Sequence, residues 1–126
     1  MYKRQLVDAA PALDSPDVAS ALVRTFLSID DAGIQQAVYR ALGQFSPLVA
    51  LHGVLANIAE VEAKTDWAIT LVDVFRDDLS EADLAAMARL IKAAPLDAQA
   101  VYECSLQRAE QSGSEHVARL LQELAN

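Results

Sequence analysis

Residues 30–64 decide the fold, and they read DDAGIQQAVYRALGQFSPLVALHGVLANIAEVEAK. Apolar side chains recur at spacings of three and four residues on both sides of Ser46-Pro47, which is the pattern of two amphipathic helices. The first stripe comprises Ile34, Ala37, Val38, Ala41, Leu42 and Phe45, and the second comprises Leu48, Leu51, Leu55, Ile58 and Ala59. The stretch therefore predicts a helix, a tight turn and a second helix.

Signals for helix starts recur along the rest of the chain. Serine followed by proline occurs at Ser15-Pro16 and Ser46-Pro47, and Ser80 with Asp83 forms a capping box. These signals predict helices over residues 16–28, 31–44, 47–63, 66–77, 81–93, 96–111 and 114–125. No alternating apolar run and no Asn-Gly or Asp-Gly hairpin turn competes with them. We therefore predict an all-α fold of six to seven short antiparallel helices.

The helix starts are regularly spaced, with a helix pair repeating about every 30–35 residues, a period typical of helical repeat arrays. Residues 30–43 have two acids and a turn, then Val38 and the triplet Ala41-Leu42-Gly43. This pattern resembles the second helix of short HEAT-like repeats, although Gln35 stands where that family usually has Arg. The resemblance implies an α-solenoid of stacked hairpins that binds partners on a concave face. A closed helical bundle is the alternative.

The length of 126 residues predicts a single helical domain spanning residues 1–126. Cys104 is the only cysteine, so an internal disulfide is impossible, which is typical of a reducing compartment. No signal peptide and no apolar run of about 20 residues is visible. We therefore expect a cytoplasmic protein that does not contact membranes.

The first five residues read MYKRQ and resemble a translated sequencing adapter. That origin would mean a gene from metagenomic assembly whose native start lies elsewhere. An ordinary basic first turn is the alternative, and no functional prediction rests on Lys3 or Arg4.

The net charge of the chain is −8, from ten basic and eighteen acidic residues. A field of this sign repels phosphate backbones, so we do not expect direct binding of nucleic acid. It favours a basic protein partner instead.

The segment from Glu60 to Asp83 contains eight acids and two basic residues, so it carries most of the net charge. On the predicted helix 66–77, Asp73 and Asp77 lie four residues apart, and two like charges at that spacing repel each other. A repulsion that does not help folding suggests a surface that meets a partner. We predict a partner-binding surface made of Glu62, Asp66, Trp67, Asp73, Asp77 and Asp78, with Trp67 as its anchor.

Other residues with functional chemistry are isolated in the sequence. His52 lies beside Gly53 inside a helix, where glycine is favoured only if another helix comes close. His116 is expected to be solvated in the first turn of the last helix, and Cys104 is expected to be a small packed residue. None of them has the partners that a catalytic or metal site requires, so we predict no catalytic residue, cofactor or metal ligand.

These observations predict a non-enzymatic module for protein–protein interaction, of the adaptor, immunity or inhibitor type, that uses an acidic helical surface. The alternative is a domain that binds a small ligand or acts as an enzyme through a pocket near His52 and Gly53. The sequence leaves the oligomeric state open.

Overall fold

The structure, a computed structural model, describes residues 14–28, 32–75 and 78–125. These ranges contain helices and no β-strand, which confirms the predicted all-α fold. The helices are α1 (Pro16–Arg24), α2 (Ala32–Leu42), α3 (Pro47–Lys64), α4 (Ala68–Leu71), α5 (Glu81–Lys92), α6 (Leu96–Ala109) and α7 (Glu115–Ala125). Short 3-10 turns, Thr25–Leu27 and Glu110–Ser112, follow α1 and α6. Residues 1–5, for which the sequence leaves a native and a non-native origin open, lie outside the described residues.

The observed helices begin close to their predicted starts because the start signals are local. The capping box of α5 is confirmed: the hydroxyl of Ser80 accepts a hydrogen bond from the backbone N–H of Asp83 at 3.0 Å, and the Asp83 carboxylate accepts one from the Ser80 N–H at 3.3 Å. The start of α3 differs in its chemistry. The side chain of Ser46 does not cap its own helix, and the Asp14 carboxylate accepts hydrogen bonds from its N–H and hydroxyl. These bonds hold the pKa of Asp14 below its usual value.

The fourth predicted helix is wrong at its C-terminal end. It was expected over residues 66–77, whereas α4 ends at Leu71 and the chain continues as a turn. The side chains in this turn that are buried are those of Val72, Val74 and Phe75. If the segment were helical, these three positions would not lie on one face of the helix, so one face could not bury all of them. Packing of this turn in the core therefore overrides the helical pattern of the sequence.

Helix α3 lies at the centre of the structure. It packs most extensively against α1, and it also contacts α4, α5 and α6. Its Leu51, Val54, Ile58 and Val61 are completely buried. Three pairs of alternate helices pack together, α1 with α3, α3 with α5 and α5 with α7, as stacked hairpins would, but α3 packs more extensively against α6 than against α5. The relation to HEAT-like repeats stays a prediction.

The contact between α1 and α3 depends on Gly53. A Cβ atom at this position would lie 2.7 Å from the backbone carbonyl carbon of Ala19 and 2.8 Å from the backbone nitrogen of Ser20. The predicted close approach of another helix is therefore confirmed. One turn later, the buried amide of Asn57 donates to the Ser20 hydroxyl at 2.9 Å and accepts from Arg24 at 3.1 Å. Hydrogen bonds thus fix the helices where glycine lets them approach.

Tyr102 on α6 is completely buried, and its hydroxyl has no hydrogen-bond partner among the described residues. Burial raises the pKa of its phenol well above the usual value, because the charged form would lose its hydration. The ring contributes apolar area to the core, whereas the hydroxyl contributes nothing that offsets its desolvation.

We expect Tyr102→Phe to reduce the loss of stability at alkaline pH. The unfolded chain releases the phenol proton above about pH 10, while the folded protein retains it, so the free energy of unfolding falls as pH rises. One such group contributes a slope of up to about 1.4 kcal/mol per pH unit. Urea unfolding at about pH 8 and about pH 11 should show a smaller difference for the variant. Equal differences for parent and variant would contradict this burial.

In the described ranges, no helix combines the length and the apolar character needed to cross a bilayer.

Candidate functional site

Two of the predicted partner-binding residues, Asp66 and Trp67, line one cleft between the end of α3 and the start of α4. Asp66 is exposed and Trp67 is half-buried. The cleft has a volume of about 520 Å³, and its other walls are Phe26, Leu27, Ser28, Gln35, Lys64 and Thr65. We call it the Trp67 cleft. It combines an aromatic wall with polar groups and a carboxylate at its rim.

The position of Trp67 is fixed from two sides. Its ring packs against Phe26, with ring centroids 4.5 Å apart and the planes tilted by 45°. Its backbone N–H donates to the hydroxyl of Thr65 at 3.1 Å, and that hydroxyl donates to the carbonyl of Val61 at 2.8 Å. Thr65 therefore ties the start of α4 to the last turn of α3, which keeps the indole at the wall of the cleft.

Some of the acidic charge around α3 is neutralised by neighbouring cations. Glu60 pairs with Lys64 at 3.1 Å and with Arg24 at 3.3 Å, and a hydrogen bond from Lys64, with a smaller contribution from Arg24, lowers its pKa. Glu62 pairs with Arg108 of α6 at 3.6 Å. All three pairs are exposed, so each adds little to stability. Asp66 carries its charge at the rim of the Trp67 cleft.

Asp73 has a different environment from the one that the sequence predicts. It lies in the turn after α4, so the expected like-charge pair with Asp77 on a helical face does not apply. One carboxylate oxygen of Asp73 lies 3.1 Å from Nε2 of His116, at an ion-pair distance but without the alignment of a hydrogen bond. Its backbone carbonyl accepts a hydrogen bond from the Tyr39 hydroxyl at 3.2 Å. These contacts give Asp73 a structural role.

His116 is buried, with 4% of its surface exposed, so the prediction that it is solvated is wrong. It lies in the first turn of α7, and Phe75 meets its ring edge-on with centroids 6.5 Å apart. The turn that contains Asp73 and Phe75 covers it, and the sequence pattern of α7 does not reveal this cover.

Asp77 lies outside the described residues. Asp78 is exposed and lines a separate cleft of about 360 Å³ beside Gly43 and Gln44. Glu62 contacts α6, whereas Asp73 contacts α7. The geometry of the described residues thus brings Asp66 and Trp67 together, and it gives Glu62, Asp73 and Asp78 different neighbours.

His52 and Gly53 lie on different sides of α3. Gly53 is buried against α1, whereas His52 is exposed and lines an open groove of about 570 Å³ formed with the end of α5 and the start of α6. Most of its walls are apolar, such as Leu55, Ala59 and Leu90. The two residues therefore do not share the pocket that the alternative prediction assigns to them.

The sequence patterns did not reveal this groove or the state of Cys104. The thiol is exposed, and the buried neighbour is Ser105, so the prediction of a packed cysteine is wrong. One feature of the sequence could have indicated the groove. Helix α3 is apolar almost all round, including Val49 and Ala56 outside the main stripe, which indicates that more than one face meets apolar surface.

No three His, Cys, Asp or Glu side chains are grouped to hold a metal ion in the part of the chain that the structure describes. The chain matches no protein-family model, no curated protein and no solved structure at a significant level.

Proposed function

We propose that this protein is a non-enzymatic interaction module that binds a basic protein at the Trp67 cleft. The observation that carries the proposal is the partly buried indole of Trp67 at the wall of the cleft, beside the exposed carboxylate of Asp66. An arginine side chain fits this pair, because its planar guanidinium stacks on an indole face and pairs with a carboxylate. An aromatic anchor with a charged neighbour is also the composition found at the centre of protein interfaces.

The charge of the whole chain supports a basic partner. A net charge of −8 attracts a cationic protein over a distance of about one Debye length, roughly 8 Å at physiological salt. Such steering raises the rate of association more than the final affinity. The Trp67 cleft would then provide the contacts that hold the partner after the encounter.

A direct test uses Trp67 as its own reporter, because it is the only tryptophan in the chain. We expect the fluorescence of Trp67 to change and saturate on titration with a blocked tetra-arginine peptide at low salt. Tetra-lysine should bind more weakly, because it stacks less well on indole, and tetra-glutamate should not bind. Asp66→Lys should lower the association constant by roughly fivefold, the equivalent of about 1 kcal/mol for one exposed charge pair.

The matched control is Asp17→Lys, which makes the same charge change in the first turn of α1. Phe26, the cleft residue nearest to that helix in sequence, lies beyond its other end, so the control is remote from the Trp67 cleft. It should bind the arginine peptide nearly as well as the parent. If both variants weaken binding equally, the peptide responds to net charge alone and the Trp67 cleft is not the site. Binding that persists at about 0.5 M salt would also contradict an electrostatic contact at the surface.

A further inference from the structure

The groove at His52 continues along α3 into a second cleft, and together they form one face. The second cleft has a volume of about 480 Å³ and shares His52, Leu90 and Ala93 with the first. The combined groove runs from Leu48 to Glu60 on α3, a length of about 18 Å at the rise of an α-helix. We call it the α3–α5 groove. It lies on a different side of α3 from Gly53, and Pro16, the first residue of α1, lines it at the Leu48 end.

Large apolar side chains are exposed at both ends of this face. Leu48, 41% exposed, lines one end, and Leu96, 84% exposed, lies between Pro95 and Asp97, which line the other. In the described part of the chain, these two are the exposed large hydrophobic residues. Exposed leucines beside an apolar groove are typical of a surface that another protein covers.

The charged residues along this face indicate which partner covers it. Arg89 lines the groove at the Leu48 end, whereas Asp97 lines it at the Leu96 end. Glu60 also lies at the Leu96 end, but Arg24 and Lys64 balance its charge. A second copy of the chain, turned by 180°, would place its Asp97 opposite Arg89 and its Arg89 opposite Asp97. The face is therefore complementary to itself, as a two-fold interface requires.

We propose that the α3–α5 groove is the interface of a two-fold symmetric homodimer. The axis passes near His52, at the middle of the groove, and Leu96 of each copy enters the other copy's groove near Leu48. Two chains of charge −8 repel each other overall, but on this face Arg89 meets Asp97, which reduces the repulsion. Because the groove is short compared with standard interfaces, we expect a reversible dimer with a dissociation constant on the order of micromolar.

Sedimentation equilibrium of the purified chain tests the dimer. From about 0.05 µM to about 100 µM, the mass should rise from near 13.6 kDa toward twice that value. Leu96→Lys should weaken association roughly tenfold or more, because it removes a buried leucine and adds a charge to the groove. Leu96 is exposed in the single chain, so the thermal melt of this variant should match that of the parent at a concentration where both are monomeric. Ala63→Lys, at the exposed end of α3 outside the groove, is the matched control and should still dimerise.

A charge exchange tests the orientation of the two copies. Arg89→Asp alone should weaken the dimer, and Arg89→Asp combined with Asp97→Arg in the same chain should restore it, because every copy then supplies both halves of the exchanged pair. Circular dichroism must show that both variants are folded, since Asp97 lies in the first turn of α6. Restoration supports the two-fold arrangement, and failure of a folded double variant to recover overturns it.

Other results also overturn the proposal. A parent that remains monomeric throughout the range would leave the groove to a different protein or to another segment of the chain. A dimer that Leu96→Lys does not weaken would use another surface. Asp66→Lys should leave the dimer unchanged, so the homodimer and the proposed binding at the Trp67 cleft can fail separately.

Discussion

Gly53→Ala should destabilise this protein, although the same change stabilises most helices. At an open position inside a helix, alanine is favoured over glycine by about 1 kcal/mol. At Gly53 the new Cβ would lie 2.7 Å from the carbonyl carbon and 2.9 Å from the Cβ of Ala19. These neighbours belong to the backbone of α1 or are attached directly to it, so no side-chain rotation can relieve the contact.

Gly53→Leu should have a larger effect in the same direction. Overpacking at a site without free volume costs about 1–3 kcal/mol, and separation of α1 from α3 would also stretch the hydrogen bonds of Asn57 to Ser20 and Arg24. Urea unfolding followed by circular dichroism at 222 nm measures the loss as a lower midpoint with an unchanged slope.

Ala63→Leu provides the matched control for Gly53→Leu. Ala63 lies on the same helix but is exposed, so leucine there should change the free energy of unfolding by less than about 0.5 kcal/mol. If Gly53→Ala is as stable as the parent or more stable, α1 and α3 do not meet as closely as described.

Asp73→Lys should also destabilise the protein strongly. The sequence pattern places Asp73 and Asp77 on one helical face, and it therefore predicts that reversal of both charges leaves the melting temperature level or higher, because a repulsion is removed. The pairing of Asp73 with buried His116 reverses that expectation. A lysine would remove the carboxylate beside a buried imidazole and place a cation there instead.

The expected loss for Asp73→Lys is about 1–3 kcal/mol, the range for removal of one partner from a buried polar group. Asp73 is 30% exposed, so the value should lie below that of a fully buried pair. Asp66→Lys makes the same charge change at an exposed site and should change stability by no more than about 0.5 kcal/mol. Equal melting temperatures for the two variants would show that the contact of Asp73 with His116 contributes nothing to folding.

The candidate site was predictable in part. Asp66 and Trp67 adjoin in sequence, and an aromatic residue in an acidic segment already indicated an anchor. Phe26, which supports the indole, is distant in sequence, and only the packing of α1 against α3 brings it there. The grouping of Glu62, Asp73 and Asp78 into one surface relied on the concentration of acids in the segment and on a repulsion between two aspartates of one helical face. Helix α4 ends at Leu71, and the three residues have different neighbours.

The sequence by itself determined the helices and one of their contacts. Caps, prolines and apolar periodicity act within a few residues, so the starts of α3 and α5 could be placed without knowledge of the rest. Glycine inside a helix is unfavourable unless something lies close, so Gly53 also indicated the approach of another helix, which the structure identifies as α1.

Only the tertiary structure decided which side chains are covered. It buries His116 and exposes Cys104 and Leu96, and the local pattern of each helix predicts none of these outcomes. The physical reason is that burial depends on which distant faces meet. In helices rich in alanine several faces are apolar enough to pack, so the contacts of the whole chain, rather than the periodicity of one helix, select the face that is buried.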